Sequence, residues 1–276
     1  MYQVEAFITQ GDSKLTPDGT VIVLGMGEVG FPLFKILSTK FDCIGIDIKP
    51  EAITKPCSVM HICYPFQIPD FIGTTVGYIL KYRPALTIIN STVAPGTTRK
   101  VQEAAGDWAL AYSPVRGKHA RMEADMLRYK KFVGASRPDV LQQALEHFNQ
   151  AGFKTAAFRS PEVAEVSKLL ETTYLGILIA WAQEVERFAA RYQGTFEDVK
   201  AFTEEIDFLP SHIFPGYIGG HCVMPNIAIL RSQFESSFLD TIVESNEAKK
   251  QQLSTTAAME QRRPVSDISE TEKRLG

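Results

Sequence analysis

From Thr20 onward, short apolar runs alternate with longer stretches in which apolar residues recur at helical spacing. Val21-Ile22-Val23-Leu24, delivered by an Asp18-Gly19 turn, is an unbroken apolar run of the kind found in strands buried on both faces. Gly25-Met26-Gly27-Glu28-Val29-Gly30 follows at once, Phe31 to Lys40 reads as a helix, and Cys43 to Asp47 reads as a second strand ending in a carboxylate. Further strands are expected at Ser58 to Tyr64, Leu86 to Asn90, Trp108 to Ser113, Phe132 to Ala135 and Thr155 to Phe158. Helices are expected at Phe71 to Tyr82, Thr97 to Glu103 and Pro138 to Gln150. This alternation implies an α/β fold, a Rossmann-type doubly wound parallel sheet.

At Ser160-Pro161-Glu162 the pattern changes: serine is a good N-cap, proline suits the first helical position and glutamate favours the positive helix end. A helix is predicted from Pro161 to Gln193, with Gly194 as its stop. Its apolar positions, from Val163 through Leu170, Tyr174 and Trp181 to Phe188, wrap around much of the cylinder, so burial on more than one side is expected, against a second layer or a subunit partner. Thr195 caps another helix through about Ile206, a glycine-rich loop follows, and Leu230 to Gln252 reads as the last helix. The expected organisation is a dinucleotide-binding domain over 1–159, an α-helical central domain over 160–252 and a flexible polar tail over 253–276.

Composition narrows the function classes. The chain has 276 residues, 45% of them hydrophobic, which suits a globular protein with a real core. A net charge of -3 and a pI near 6.0 provide no basic field for a polyanion, so a nucleic-acid partner is not expected. No basic and apolar leader opens the sequence and no apolar run reaches the roughly 20 residues of a membrane span, so a cytoplasmic protein is expected. The four cysteines, at 43, 57, 63 and 222, show no C-x-x-C pair and no zinc spacing, so four reduced thiols and no structural metal are expected.

Several segments carry candidate chemistry. Gly25 permits a tight turn, Gly27 allows a pyrophosphate to approach the backbone, and Gly30 allows helix and strand to pack, with Glu28 and Val29 leading into the helix amino end. Asp47, 17 residues beyond Gly30, stands where a carboxylate accepts bonds from ribose hydroxyls and repels a 2′-phosphate; NAD is therefore preferred, with Lys49 keeping NADP open. Ser91 to Thr98 follows a strand end, where its hydroxyls, Thr92 among them, face a nicotinamide or simply form a Ser/Thr turn. Arg116, Lys118 and His119 are candidates to grip an anionic substrate, against a solvated loop for the last two. Lys168 sits among apolar neighbours where an ammonium can donate to a developing oxyanion, although most helical lysines reach solvent. Cys222, beside His221 and after Gly219-Gly220, is a candidate nucleophile, with a small buried hydrophobe as the competing reading. His61 and His212 carry no pairing signal and read as structural.

Taken in order, Val21 to Gly30, Asp47, His61-Ile62-Cys63-Tyr64-Pro65, Ser91 to Thr98, Ser113-Pro114, Lys168 to Tyr174 and Gly219-Gly220-His221-Cys222 resemble the motifs of the UDP-glucose/GDP-mannose dehydrogenase family. The resemblance implies oxidation of a sugar nucleotide's primary alcohol with NAD. It implies that Cys222 forms a thiohemiacetal and then a thioester, that Lys168 stabilises oxyanions, and that the long helix builds a homodimer. Tyr64, Pro65 and Thr92 would then join the cofactor site, and Gly219, Gly220 and His221 the substrate site, with Thr172 and Asn226 at family catalytic positions. Three departures fall on chemical positions: Val115 replaces the family's usual glutamate, Thr172 its helix asparagine, and Asn226 its aspartate. Valine and a carboxamide cannot serve as bases. About 24 residues follow the last expected helix, too few for another nucleotide-binding layer of βαβ units. The expectation is that this layer comes from a partner chain or that the substrate is not a sugar nucleotide. The competing readings are an NAD-binding regulatory homologue with reduced catalysis, and a two-electron dehydrogenase of the β-hydroxyacid type.

Overall fold

The computed structural model describes residues 19–47, 53–207 and 213–261; Lys49 and His212, singled out above, lie outside them. The chain divides into two compact units, Met1–Leu169 and Leu170–Gly276, so the division falls inside the long helix and ten residues later than the expected domain boundary.

The first unit is built on strands β1 (Thr20–Leu24), β2 (Cys43–Ile46), β3 (Cys57–Ile62), β4 (Leu86–Ile89), β5 (Leu110–Tyr112), β6 (Lys131–Ala135) and β7 (Thr155–Ala157). They form one seven-stranded sheet in the order β2-β1-β3-β4-β5-β6-β7. Alternation of side chains along β1 sends Val21 and Val23 into one core and Ile22 and Leu24 into the other, which is why the run is apolar throughout. Helices α1 (Gly30–Leu37), α2 (Phe71–Tyr82), α3 (Thr97–Ala105) and α5 (Pro138–Gln150) connect these strands near the expected positions. α2 is capped by Asp70, which accepts from Gly73 N at 2.8 Å, and stops at Arg83 in the left-handed conformation.

The sheet departs from expectation at β6. β6 pairs antiparallel to β5, in the register Ala111 with Ala135 and Tyr112 with Gly134, so the sheet is mostly rather than wholly parallel. The cause is the connection: after β5 the chain enters a 3-10 turn (His119–Arg121) and a short helix, α4 (Met122–Arg128), which return it to the carboxyl end of β5 instead of crossing over. Seven helical residues with a mixed polar pattern carry too little periodicity to announce themselves.

Helix α6 (Pro161–Arg191) begins where Ser160 Oγ accepts from Val163 N at 3.3 Å. After Arg191 the chain turns away at Gln193, where φ is +59°, and Gly194 N donates to Ala189 O at 3.0 Å. In the second unit, α7 (Phe196–Thr203) has a complete capping box between Thr195 and Asp198. The helix expected from Leu230 to Gln252 starts later, as α9 (Ser237–Gln261), and is preceded by an unanticipated helix, α8 (Val223–Arg231), and a turn at Ser232 to Ser236. Helix α9 therefore runs through the start of the segment expected to be a flexible tail. α8 and α9 close on α6 at Gly176, where an added Cβ would meet Val223 Cγ1 at 3.0 Å and Ile227 Cδ1 at 3.3 Å. Among the described residues, no helix is long and apolar enough to cross a membrane.

Candidate active site

In the first unit the sheet order reverses between β1 and β3, since β1 is followed by β2 on one side and β3 on the other. A crevice outside the carboxyl ends of strands at such a reversal is where open α/β sheets hold ligands. The glycine turn occupies this place. Gly25 has φ +90°, its N–H donates to Ile46 O at 2.8 Å, and a Cβ there would stand 2.6 Å from Tyr64 N. A Cβ on Gly30 would collide with the Gly25 carbonyl oxygen. Gly27 has nothing within 4 Å of where its Cβ would be, so two glycines serve packing and the third leaves an open approach. Val29 supplies no side-chain cap to α1, but Phe31 N already donates to Gly27 O at 3.0 Å, Leu33 N donates to Val29 O at 3.3 Å and Pro32 has no N–H, so anion binding here falls to the backbone between Gly27 and Gly30. Asp47 is exposed at the end of β2, and its Oδ1 accepts from Met26 N at 3.4 Å.

The neighbouring strand ends are tied to one another. Ser91 Oγ donates to Tyr64 O at 2.6 Å, and Tyr64 OH bonds Thr75 Oγ1 at 2.6 Å. Pro65 is exposed beside them and Thr92 is half-buried. At the other end of this loop the buried carboxylate of Glu165, from α6, accepts from Gly96 N at 2.6 Å, Thr98 N at 2.8 Å and Thr98 Oγ1 at 2.6 Å. Burial raises its pKa against those three donors.

Beneath the crevice lies a buried polar chain that sequence reasoning missed. Lys131, 4% exposed, donates from Nζ to Ser113 O at 2.9 Å, Pro114 O at 3.0 Å and Asn90 Oδ1 at 3.3 Å. Because an ammonium can only donate, Asn90 must turn its Nδ2 toward His61 Nδ1, 3.1 Å away. His61 then carries its proton on Nε2 and donates to His147 Nε2 at 2.9 Å. Burial holds His61 well below the usual imidazole range, with the charges of His147 and Lys131 adding to it, and pulls His147 down to about 4. Lys131 is brought down to about 7, chiefly by burial, with Arg116 and Lys168 pushing the same way and Cys63 opposing. His61 and His147 are 86 residues apart, so no local spacing could pair them. Lys131 reaches the carboxyl end of β5 because β6 runs antiparallel, which was the feature the sequence pattern did not disclose.

The other anticipated residues are placed as follows. Arg116 donates to Lys130 O at 2.6 Å and lies over the Phe132 ring at 5.1 Å, while His119 pairs with Glu28 at 3.2 Å, linking its segment to the glycine turn. Lys118 is exposed and its N–H donates to Asp125 at 3.0 Å. Val115 is buried in the core beside Met122 and Met126. Lys168 is half-buried on α6.

In the second unit Cys222 is exposed at the N-cap of α8, as are Gly219, Gly220 and His221 before it, and Gly220 has φ +78°. Thr172 and Asn226 are both buried and bonded, Asn226 Nδ2 donating to Thr172 Oγ1 at 3.0 Å. Burial raises the thiol of Cys43 to about 11 and those of Cys57 and Cys63 to about 12.

Residues 162–248 match the UDP-glucose/GDP-mannose dehydrogenase family, central domain. The chain is 24% identical to UDP-N-acetyl-D-mannosamine dehydrogenase from Pyrococcus horikoshii, over 79% of its own length and 65% of that protein's. It is 22% identical to the enzyme of the same name from Methanocaldococcus jannaschii, over 74% and 59%. The solved structure of UDP-D-ManNAc dehydrogenase from P. horikoshii superposes with a TM-score of 0.75 at 18% identity, covering 87% of this chain and 70% of that one. A Mycobacterium tuberculosis 3-hydroxyisobutyrate dehydrogenase shares the fold at 0.61 and 14% identity, with 84% and 93% covered.

Proposed function

We propose that this chain, which carries the central domain of the UDP-glucose/GDP-mannose dehydrogenase family, is an NAD-dependent oxidoreductase acting on a primary alcohol of a sugar nucleotide or a related polar metabolite. The carrying observation is the division of labour in the glycine turn: Gly25 and Gly30 are closed against backbone, while Gly27, just ahead of α1, is open. These residues fit a dinucleotide. The backbone from Gly27 to Gly30 would hold its pyrophosphate and Asp47 its ribose, and its nicotinamide, when bound, would supply a hydride acceptor. In this reading the alcohol carbon would give up a hydride to the nicotinamide while its hydroxyl proton passes to solvent water. The Cys222 thiolate then adds to the resulting carbonyl carbon as a thiohemiacetal. The ammonium of Lys168 donates to the oxygen that gains negative charge.

The proposed assembly is a homodimer through α6. Leu170, Tyr174, Trp181 and Phe188 recur at spacings of four and seven along that helix, and Tyr174 and Trp181 are 59% and 62% exposed. Large apolar side chains aligned on one face mark an interface.

The test is reduction of NAD by the pure protein with a panel of nucleotide sugars, followed at the reduced-nicotinamide absorbance, in the parent and in Cys222→Ser and Lys168→Met. Binding of NAD without reduction by any substrate would remove the enzymatic reading. One observation favours a second reading, that of an NAD-binding homologue with reduced catalysis. Asn226 is a carboxamide bonded to the Thr172 hydroxyl, and Val115 is core, so none of the three offers a base. That reading requires Cys222→Ala to match the parent in every assay.

A further inference from the structure

The loop before Cys222 has no helix or strand from Ile213 to His221, and it contains three glycines, Gly216, Gly219 and Gly220, each with a large backbone entropy to lose. Two internal bonds, Gly216 N to Phe214 O at 2.8 Å and Gly219 N to Tyr217 O at 3.1 Å, only tighten local turns. Ile218 is its one buried residue between 213 and 222. Something outside the loop has to define its path.

Two buried carboxamides do so. Asn246 on α9, 1% exposed, clasps the backbone of Ile218 from both sides: Ile218 N donates to its Oδ1 at 2.8 Å, and its Nδ2 donates to Ile218 O at 3.1 Å. Gln183 on α6 is fully buried, and its Nε2 donates to Gly216 O at 2.8 Å and to Asn246 Oδ1 at 3.4 Å. Neither amide is free to flip. Ser245 Oγ donates to Gln183 Oε1 at 2.9 Å, and this leaves only Nε2 for the loop. The Ile218 N–H must meet an oxygen, which leaves Nδ2 of Asn246 for the carbonyl. Ser245 is itself held by Arg187 Nη2 at 2.6 Å.

We infer that Gln183 and Asn246 are positioning residues for the thiol loop: by fixing Gly216 and Ile218 they set where Cys222 is presented at the amino end of α8. The inference rests on Cys222 being the reacting group, but the clamp itself is measurable without that. Two variants separate them. Asn246→Ala removes both bonds to Ile218. Asn246→Asp keeps the acceptor for Ile218 N and loses only the donor. Hydrogen exchange of the Ile218 amide, in protein shown to melt cooperatively, should speed up roughly tenfold in Asn246→Ala. In Asn246→Asp it should stay within about twofold of the parent, because the acceptor bond persists. With a nucleotide sugar that is turned over, kcat should fall at least tenfold in Asn246→Ala with KM for NAD unchanged, since the cofactor turn is untouched, and Asn246→Asp should recover part of it. Thiol modification by Ellman's reagent then reports Cys222, because the three other cysteines are held in the thiol form, and its rate should change in Asn246→Ala alone. Unchanged exchange at Ile218 in folded Asn246→Ala, or equal loss in both variants, overturns the clamp. If the parent reduces no NAD with any substrate, the oxidoreductase reading fails, and the exchange measurements still decide the clamp.

Discussion

The buried histidine pair makes the first unit acid-labile in a window that can be worked out beforehand. An unfolded imidazole takes up its proton near 6.5, whereas His147 in the folded protein does so only near 4. Between those values the unfolded state binds more protons, so stability that is present above pH 6.5 is lost as the pH falls toward 4. The gap of about 2.5 pH units, at about 1.4 kcal/mol each, corresponds to about 3 kcal/mol for His147. His61 is displaced in the same direction by its own burial, so the parent should lose a further share of similar origin. Lys131 titrates between about 7 and 10.5, where stability rises with pH, and adds nothing to the acid window. Glu165 titrates in parent and variant alike and cancels in their difference. The perturbation is His147→Gln, whose carbonyl can accept the proton of His61 Nε2 without titrating. The chain has two tryptophans, at 108 and 181, so a Trp181→Phe background leaves Trp108 fluorescence to report urea unfolding of the first unit. Plotted against pH, the stability of His147→Gln should fall about 3 kcal/mol less than the parent's between pH 6.5 and 4. Parallel curves would refute the argument that His147 is buried neutral.

The remaining predictions concern single contacts. Gly27→Ala should melt with the parent, since its Cβ enters open space, while its NAD affinity by calorimetry falls at least tenfold; Gly30→Ala should lose about 3 kcal/mol or more by collision with Gly25, whatever the ligand. Glu165→Gln places an amide against N–H donors at Gly96 and Thr98, and should cost about 2 kcal/mol in urea unfolding. Tyr112→Phe removes a buried hydroxyl with no hydrogen-bond partner and should leave stability unchanged or raise it by about 1 kcal/mol. Trp181→Lys should yield a monomer in sedimentation if α6 is the dimer helix, and an unaltered mass with this variant would exclude that face.

Much of the fold is visible in local pattern because the features that announce it are local. β1 is apolar from Val21 to Leu24 because both faces of the sheet bury it, and the bounds of α2 and α5 coincide with their Asp70 cap and amino-terminal Pro138. What stays hidden is set by tertiary contacts. The break between α8 and α9 falls in Ser232-Gln233-Phe234-Glu235-Ser236, which has neither glycine nor proline to mark it. The long helix shows its spacing, but whether Trp181 faces a neighbour or solvent depends on what α8 and α9 cover.

The candidate site divides along the same line. Candidate residues whose proposed role runs through their own backbone or a short motif, such as Gly25, Gly27, Gly30 and Cys222, are legible because the constraint sits within a few positions. Residues that hold those motifs in place are not, because each acts across the fold: Lys131 on Pro114 from 17 positions away, Glu165 on Thr98 from 67, Asn246 on Ile218 from 28. All three are buried polar groups on regular elements, where an apolar residue would be the default. Each satisfies main-chain groups of an irregular segment, which a loop near a core cannot leave unpaired. The asymmetry has a consequence for Thr172 and Asn226. Their mutual bond is of the second kind, a buried polar pair joining α6 to α8. Asn226 accordingly holds α8, and with it Cys222 at its amino cap, against α6. Breaking the bond with Asn226→Leu should therefore loosen the presentation of the thiol, seen as a changed rate of Cys222 modification, even if no proton ever passes through Asn226.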